Sequence, residues 1–212
     1  MKRLFAVLLI GILVIAGVWF FFFKPKKHVD TGPVQQPLAV SKHSDVFNRS
    51  AINMINAYYN LTEAFVNWDT VSLSRYSGEL KTGMDSLRLS ELQKDTVIYE
   101  TAKGILDNAK SEMDGLLNDP TLEEKRLAFN SLTQYVYDLL RTVRYDQSKI
   151  YFHECPTAFG EDKPGNWLSK TADVRNPYPG KEHPKFKEQL LNCGGPKDTL
   201  NFMVAVADTT KH

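Results

Sequence analysis

Asp95-Thr-Val-Ile-Tyr-Glu-Thr-Ala-Lys-Gly-Ile-Leu-Asp-Asn-Ala-Lys-Ser-Glu-Met-Asp-Gly-Leu-Leu117 decides the fold class. Its apolar positions Ile98, Ala102, Ile105, Ala109, Met113 and Leu116 step by three and four, so they fall on one face of a helix, with charged residues on the other. A stripe this narrow does not suit a helix buried on all sides; it needs neighbours that present stripes of their own. The chain supplies them on both sides. Between about Ser44 and Trp68 the same spacing runs through Phe47, Ala51, Met54, Ile55, Tyr58, Leu61, Phe65 and Trp68. From Thr70 to Leu87 it runs through Leu73, Tyr76, Leu80, Met84 and Leu87, weakened by Gly78 and Gly83. After Pro120, Thr121 and Glu124 form a capping-box pattern, and Phe129, Leu132, Val136, Leu139, Leu140 and Val143 continue the stripe to about Arg144. Short connections force consecutive helices to lie antiparallel. The expectation is an all-α protein, an up-down four-helix bundle over residues 44–144.

Beyond Arg144 the period changes. Lys149-Ile-Tyr-Phe-His153 and Thr199-Leu-Asn-Phe-Met203 alternate as short strands do, and six of the ten prolines lie between Pro156 and Pro196. Residues 145–212 are therefore expected to form an irregular, Cys-containing cap packed on the bundle, with room for a short two-stranded clip. Ahead of the bundle, Met1-Lys2-Arg3 precedes an uninterrupted apolar run from Leu4 to Phe23. Its 20 residues reach across the ~30 Å hydrocarbon core of a bilayer at about 1.5 Å per residue. The run ends in Trp19-Phe-Phe-Phe-Phe23 and Lys24-Pro-Lys-Lys27, with no small-residue cleavage site, so residues 1–23 read as an uncleaved signal anchor. Residues 24–43, with Pro25, Pro33 and Pro37, read as an extended linker. An anchor with so short an N-terminal tail places the rest of the chain on the extracytoplasmic, periplasmic side of the inner membrane, single-pass, even though Lys2 and Arg3 are matched by Lys24, Lys26 and Lys27.

Charge bounds the function. With 26 basic and 25 acidic residues and no basic stripe, nothing points to nucleic acid. There is no phosphate-binding glycine loop and no nucleophile elbow, and Glu123-Glu124 is accounted for by its helix start; the chain is not expected to be an enzyme. What chemistry there is gathers around the two cysteines. In an oxidising compartment Cys155 and Cys193 suit a disulfide closing the loop between them. Alternatively, the two thiolates with His153, two residues before Cys155, suit Cu(I) or Zn(II). No Cys-x-x-Cys is present. Met54, Met84 and Met113 sit on core stripes, and the aromatic residues Phe159, Trp167, Tyr178 and Phe186 are expected to glue the cap to the bundle. His183 reads as a loop residue, and His28, His43 and His212 as linker or tail residues. In Arg175-Asn-Pro-Tyr178 the asparagine is placed to bond local backbone in a turn.

The tail carries a further pattern: Cys155-Pro156-Thr-Ala158, Asn166-Trp167-Leu-Ser169, Val174-Arg-Asn176-Pro177-Tyr178, Gly180 and Leu191-Asn-Cys193-Gly194, with a helix from Ile55 to Asp69 upstream. In order and rough spacing it resembles a family of bacterial extracytoplasmic domains of unknown function, which occur alone behind a signal or anchor and also at the C-terminus of copper and silver efflux adaptor subunits. Where that family has Cys-Pro-Met, this chain has Thr157. The resemblance spans roughly residues 45–203. It implies a helical domain outside the cytoplasmic membrane, a role in heavy-metal handling with copper as the metal, and metal-efflux components as partners. Two readings therefore stand side by side: a non-enzymatic metal-binding domain using Cys155, Cys193 and His153, and a structural or protein-interaction domain in which the two cysteines form a disulfide and the motif residues hold the cap.

Overall fold

The computed structural model describes residues 43–179 and 190–203. The apolar run 4–23, the linker up to residue 42, and Gly180, His183 and Phe186 lie outside them. Among the described residues no helix is long and apolar enough to cross a membrane. Four helices come first, α1 (Asp45–Asn67), α2 (Thr70–Asp85), α3 (Thr96–Asn118) and α4 (Leu122–Thr142), with a 3-10 helix (Leu89–Lys94) between α2 and α3. Three strands follow, β1 (Ile150–Cys155), β2 (Gly165–Ser169) and β3 (Gly195–Leu200).

Each of the four α-helices starts on a side-chain cap that satisfies a backbone N–H left over in its first turn. Ser44 accepts from Phe47, Asp69 from Ser72, and Asp95 from Ile98. Thr121 and Glu124 close the reciprocal capping box that their spacing announced. Successive helices are neighbours, as the short connections require. Met54, Met84 and Met113 are buried in the common core. The stripe of α3 differs from expectation in its first half: Leu106 is buried, while Ile98 and Ile105 are only partly so and pack at the margin. Ala102, Leu106, Ala109, Met113 and Leu116 still step by four and three, so the buried face remains one helical stripe.

The α1–α4 side of the bundle is where the C-terminal segment docks. The two helices face each other across large side chains: Phe129 of α4 stacks on Tyr58 at 5.2 Å between ring centroids and meets Phe65 at 4.8 Å. Strand β2 lies against both helices. The strands form an antiparallel sheet in the order β2-β1-β3. The expected clip of two strands is thus a sheet of three. Strand β2 escaped notice because its burial does not alternate: Gly165, Trp167 and Leu168 are all buried. Strand β3 begins at Gly195, earlier than Thr199. A register irregularity between Phe152 and His153 lets both neighbours be buried, which breaks the period of two in β1.

As an edge strand, β2 would leave N–H groups unpaired. Two of them are taken by helix side chains: Asn166 N donates to Asn130 Oδ1 (2.8 Å) and Leu168 N to Tyr58 Oη (3.1 Å). Thr133 Oγ1 donates to Phe129 O (2.9 Å), so its lone pair receives the Tyr58 hydroxyl (2.6 Å). Four groups thus form one directional relay: Leu168 N–H to Tyr58 O–H to Thr133 O–H to the Phe129 carbonyl. Burial holds the Tyr58 phenol far above its ordinary pKa, so it stays a donor.

His43 corrects the linker boundary at residue 43. Its ring is buried, stacks on Phe47 at 4.2 Å, and puts Nδ1 2.8 Å from Glu91 Oε1 and Nε2 2.6 Å from Val143 O. It therefore ties the start of α1 to the 3-10 helix and to the end of α4. Burial pushes the Glu91 carboxyl up, but hydrogen bonds from Ser44 and His43 outweigh it and hold its pKa below the ordinary value.

Tyr58→Phe removes the hinge of the relay and leaves a buried N–H of β2 without an acceptor. Urea unfolding should show a loss of about 1–3 kcal/mol. Amide exchange at Leu168 should accelerate more than at residues of α3.

Candidate functional site

The cysteine tract occupies the outer end of the sheet. Cys155 and Cys193 are bonded to each other (S–S 2.05 Å, Cα–Cα 5.4 Å), which joins the end of β1 to the turn entering β3. The turn passes so close to β1 that Gly194, at φ +101°, has no room for a side chain: a Cβ there would lie 2.2 Å from Glu154 O. Only glycine meets both the dihedral and the contact. Thr157 stands beside the bond, its Oγ1 3.9 Å from Cys193 Sγ. Pro156 is exposed.

His153 is fully buried and stacks on Trp167, its partner across the β1–β2 pair, at 5.1 Å. Its Nε2 lies 3.1 Å from Thr171 O, which assigns the proton to Nε2 and leaves Nδ1 as a buried acceptor with no partner. Burial lowers its pKa, against the smaller opposing effects of the Thr171 carbonyl and Asp173.

The remaining motif residues build the seam between cap and bundle. Asn176 is fully buried; its Oδ1 accepts from Tyr178 N (3.0 Å) in the expected local turn, and its Nδ2 donates to Cys193 O (3.4 Å). Tyr178 meets Phe159, Phe129 and Trp167 at 4.7, 6.2 and 6.4 Å, so three of the four expected aromatics join the cap and reach the bundle through Phe129. The Tyr178 hydroxyl donates to Asn166 O. At Gly165 a Cβ would lie 2.5 Å from the Tyr178 ring, so the tyrosine packs on bare backbone.

Sequence reasoning passed over the strongest fastener. Arg126 of α4 is buried, donates from Nε to Pro177 O (3.1 Å) and from its Nη2 nitrogen to Phe65 O (3.3 Å), and lies 4.4 Å from the centre of the Trp68 ring. A guanidinium placed on the last carbonyls of α1 is favoured by the helix dipole as well as by the two bonds. Burial still lowers its pKa to about 10, against the opposing charge of Glu123. Trp68 itself, in the left-handed conformation that ends α1, donates Nε1 to Pro179 O (3.0 Å). In the sequence Arg126 is one cation among many on a helix; only the docked cap makes it a staple.

A soft-metal site needs thiolates. In this structure both sulfurs are consumed by the bond, and His153 Nδ1 is sealed in the core. Among the described residues no three His, Cys, Asp or Glu side chains converge. The oxidised arrangement does not fit the two-thiolate copper or zinc site expected of Cys155, Cys193 and His153.

The fold and its seam define a class: a helical bundle carrying a disulfide-pinned three-stranded cap. Residues 54–148 match the model of a family described as a protein of unknown function (DUF3347). The match takes in most of α1, all of α2 to α4 and the approach to β1, and stops before the first cysteine. No curated protein matches the chain. No solved structure matches it either.

Reduction of the disulfide should lower stability by about 3–4 kcal/mol, the loop-closure value for a ring of this size, read from urea curves with and without reductant. His153 adds a pH signature. Its pKa is lower folded than unfolded, so its contribution is fully present above the unfolded value of about 6.5 and is lost as pH falls toward the folded one. The wild type should therefore weaken between pH 7 and pH 5, and His153→Phe should show a flatter profile over that window.

Proposed function

We propose that the chain is a non-enzymatic interaction domain, tethered to the cytoplasmic membrane through residues 4–23 and working on its extracytoplasmic side. The Cys155–Cys193 bond carries this reading. Disulfides persist where the surroundings are oxidising and are rare where thiols are kept reduced. The bond and the buried motif residues serve the cap: the Asn176 side chain accepts from the Tyr178 backbone, and Trp167 packs on Tyr178 in the seam. The tail's resemblance to domains of copper and silver efflux adaptors supports a partner drawn from such machinery. Copper or zinc handling rests on the residue types Cys155, Cys193 and His153 and, for copper, on that resemblance, and it would require the reduced pair.

Thiol trapping in intact cells tests it. After acid quench and maleimide treatment, the chain should gain no label without reductant and two labels with it, and protease added to spheroplasts should remove the domain. Free thiols in native cells, or a protected domain, would overturn the placement. Anaerobic Cu(I) titration of the reduced chain against Cys155→Ser/Cys193→Ser should show equal, negligible uptake; uptake that depends on the cysteines would replace this reading with the metal one.

A further inference from the structure

A wide cleft among the described residues is lined by none of the cysteine tract. It runs between α1 and α2 with a volume of about 790 Å³. Three amides of α1, Asn53, Asn56 and Asn60, form one side at helical spacing, and Arg75 and Arg88 stand on the other. A second cleft of about 270 Å³, between α1 and the end of β2, is also lined by Asn60. Lys170 of the second cleft donates to Asn56 Oδ1 of the first (3.3 Å), so the two meet over the middle of α1. Together they follow α1 from Val46 to Glu63, a distance of about 25 Å at the helical rise.

Three observations describe what fits this groove. First, exposed apolar anchors are sparse: of the exposed large apolar side chains among the described residues, Val46 alone lines it, at one end, and Tyr59 and Trp167 of the second cleft are largely buried. Protein interfaces are centred on buried aromatic or aliphatic anchors, so a protein partner is poorly served here. Second, each cleft carries one cation beyond its ion pair: Arg75 pairs with Glu79 beside Arg88, and Arg175 pairs with Glu63 beside Lys170. Third, Gly78 sits in the interior of α2 and faces the larger cleft, where a Cβ would meet nothing within 4 Å. Glycine there weakens the helix by about 1 kcal/mol and packing does not demand it, but any larger residue would narrow the groove.

We propose that this groove binds an acidic oligosaccharide. Asparagine amides donate and accept together, as the vicinal hydroxyls of a sugar do, and guanidinium and ammonium groups at intervals suit carboxylates along the chain. This site goes beyond the tethered-domain reading and does not depend on it, since α1 and α2 form its longer part without the cap.

Titration calorimetry on the full chain, in a detergent without a sugar headgroup, tests the site with hexagalacturonate and with the neutral cellohexaose. Hexagalacturonate should bind saturably, at least tenfold more tightly than cellohexaose, and weaken with added salt. Gly78→Leu should raise the melting temperature, because it improves helix propensity in open space, while weakening hexagalacturonate at least tenfold. Asn53→Ala/Asn60→Ala should also fold normally and bind more weakly. No saturable binding, equal binding of the two hexamers, or undiminished binding by Gly78→Leu would overturn the proposal.

Discussion

The Tyr58 hydroxyl is the point on which the rest of the structure turns. It accepts the N–H of Leu168 from the sheet and gives its own proton to Thr133 of the opposite helix. That single oxygen settles how far α1 stands from α4, where the edge of β2 rests and which way the sheet faces. A buried hydroxyl without partners is costly, and so is a buried edge N–H. Each removes the other's cost, and neither is satisfied unless cap and bundle are in register. The relay gives little net energy by itself. Its weight lies in making alternative dockings expensive.

Around that point the seam is layered. Phe129, Phe65 and Tyr178 supply apolar area. Arg126 bridges the end of α1 and the Pro177 turn, and Asn176 bridges that turn and Cys193. The disulfide then closes the far side of the sheet. The bundle has continuous stripes and its own caps, whereas the cap is short of core and depends on contacts to the helices and on a covalent link. This is the expected division between a segment that folds on local periodicity and one that does not.

That division also sets how much could be read from the chain. The four helices were legible because their stripes are long and their capping residues stand where helix physics puts them; Thr121 with Glu124 is the plainest case. The turn at Asn176 was legible because its hydrogen bond is local. Strand β2 was not, because five residues whose burial does not alternate carry no period. Arg126, Asn130 and His43 were hidden for another reason: each acts on a group 34 or more positions away, such as Pro177 O, Asn166 N and Val143 O. Sequence spacing reports what a residue does to its own element. It is silent on a donor whose acceptor arrives only on folding.

The bond between Cys155 and Cys193, with a sequence separation of 38, has a consequence for the lifetime of the molecule. The segment between them holds five of the protein's ten prolines. A single peptide-bond break anywhere within it does not release a fragment. The severed ends stay joined through sulfur, and β3 stays beside β1. The domain is thus built to survive a nick in its most irregular region as one covalent body, so long as its surroundings remain oxidising.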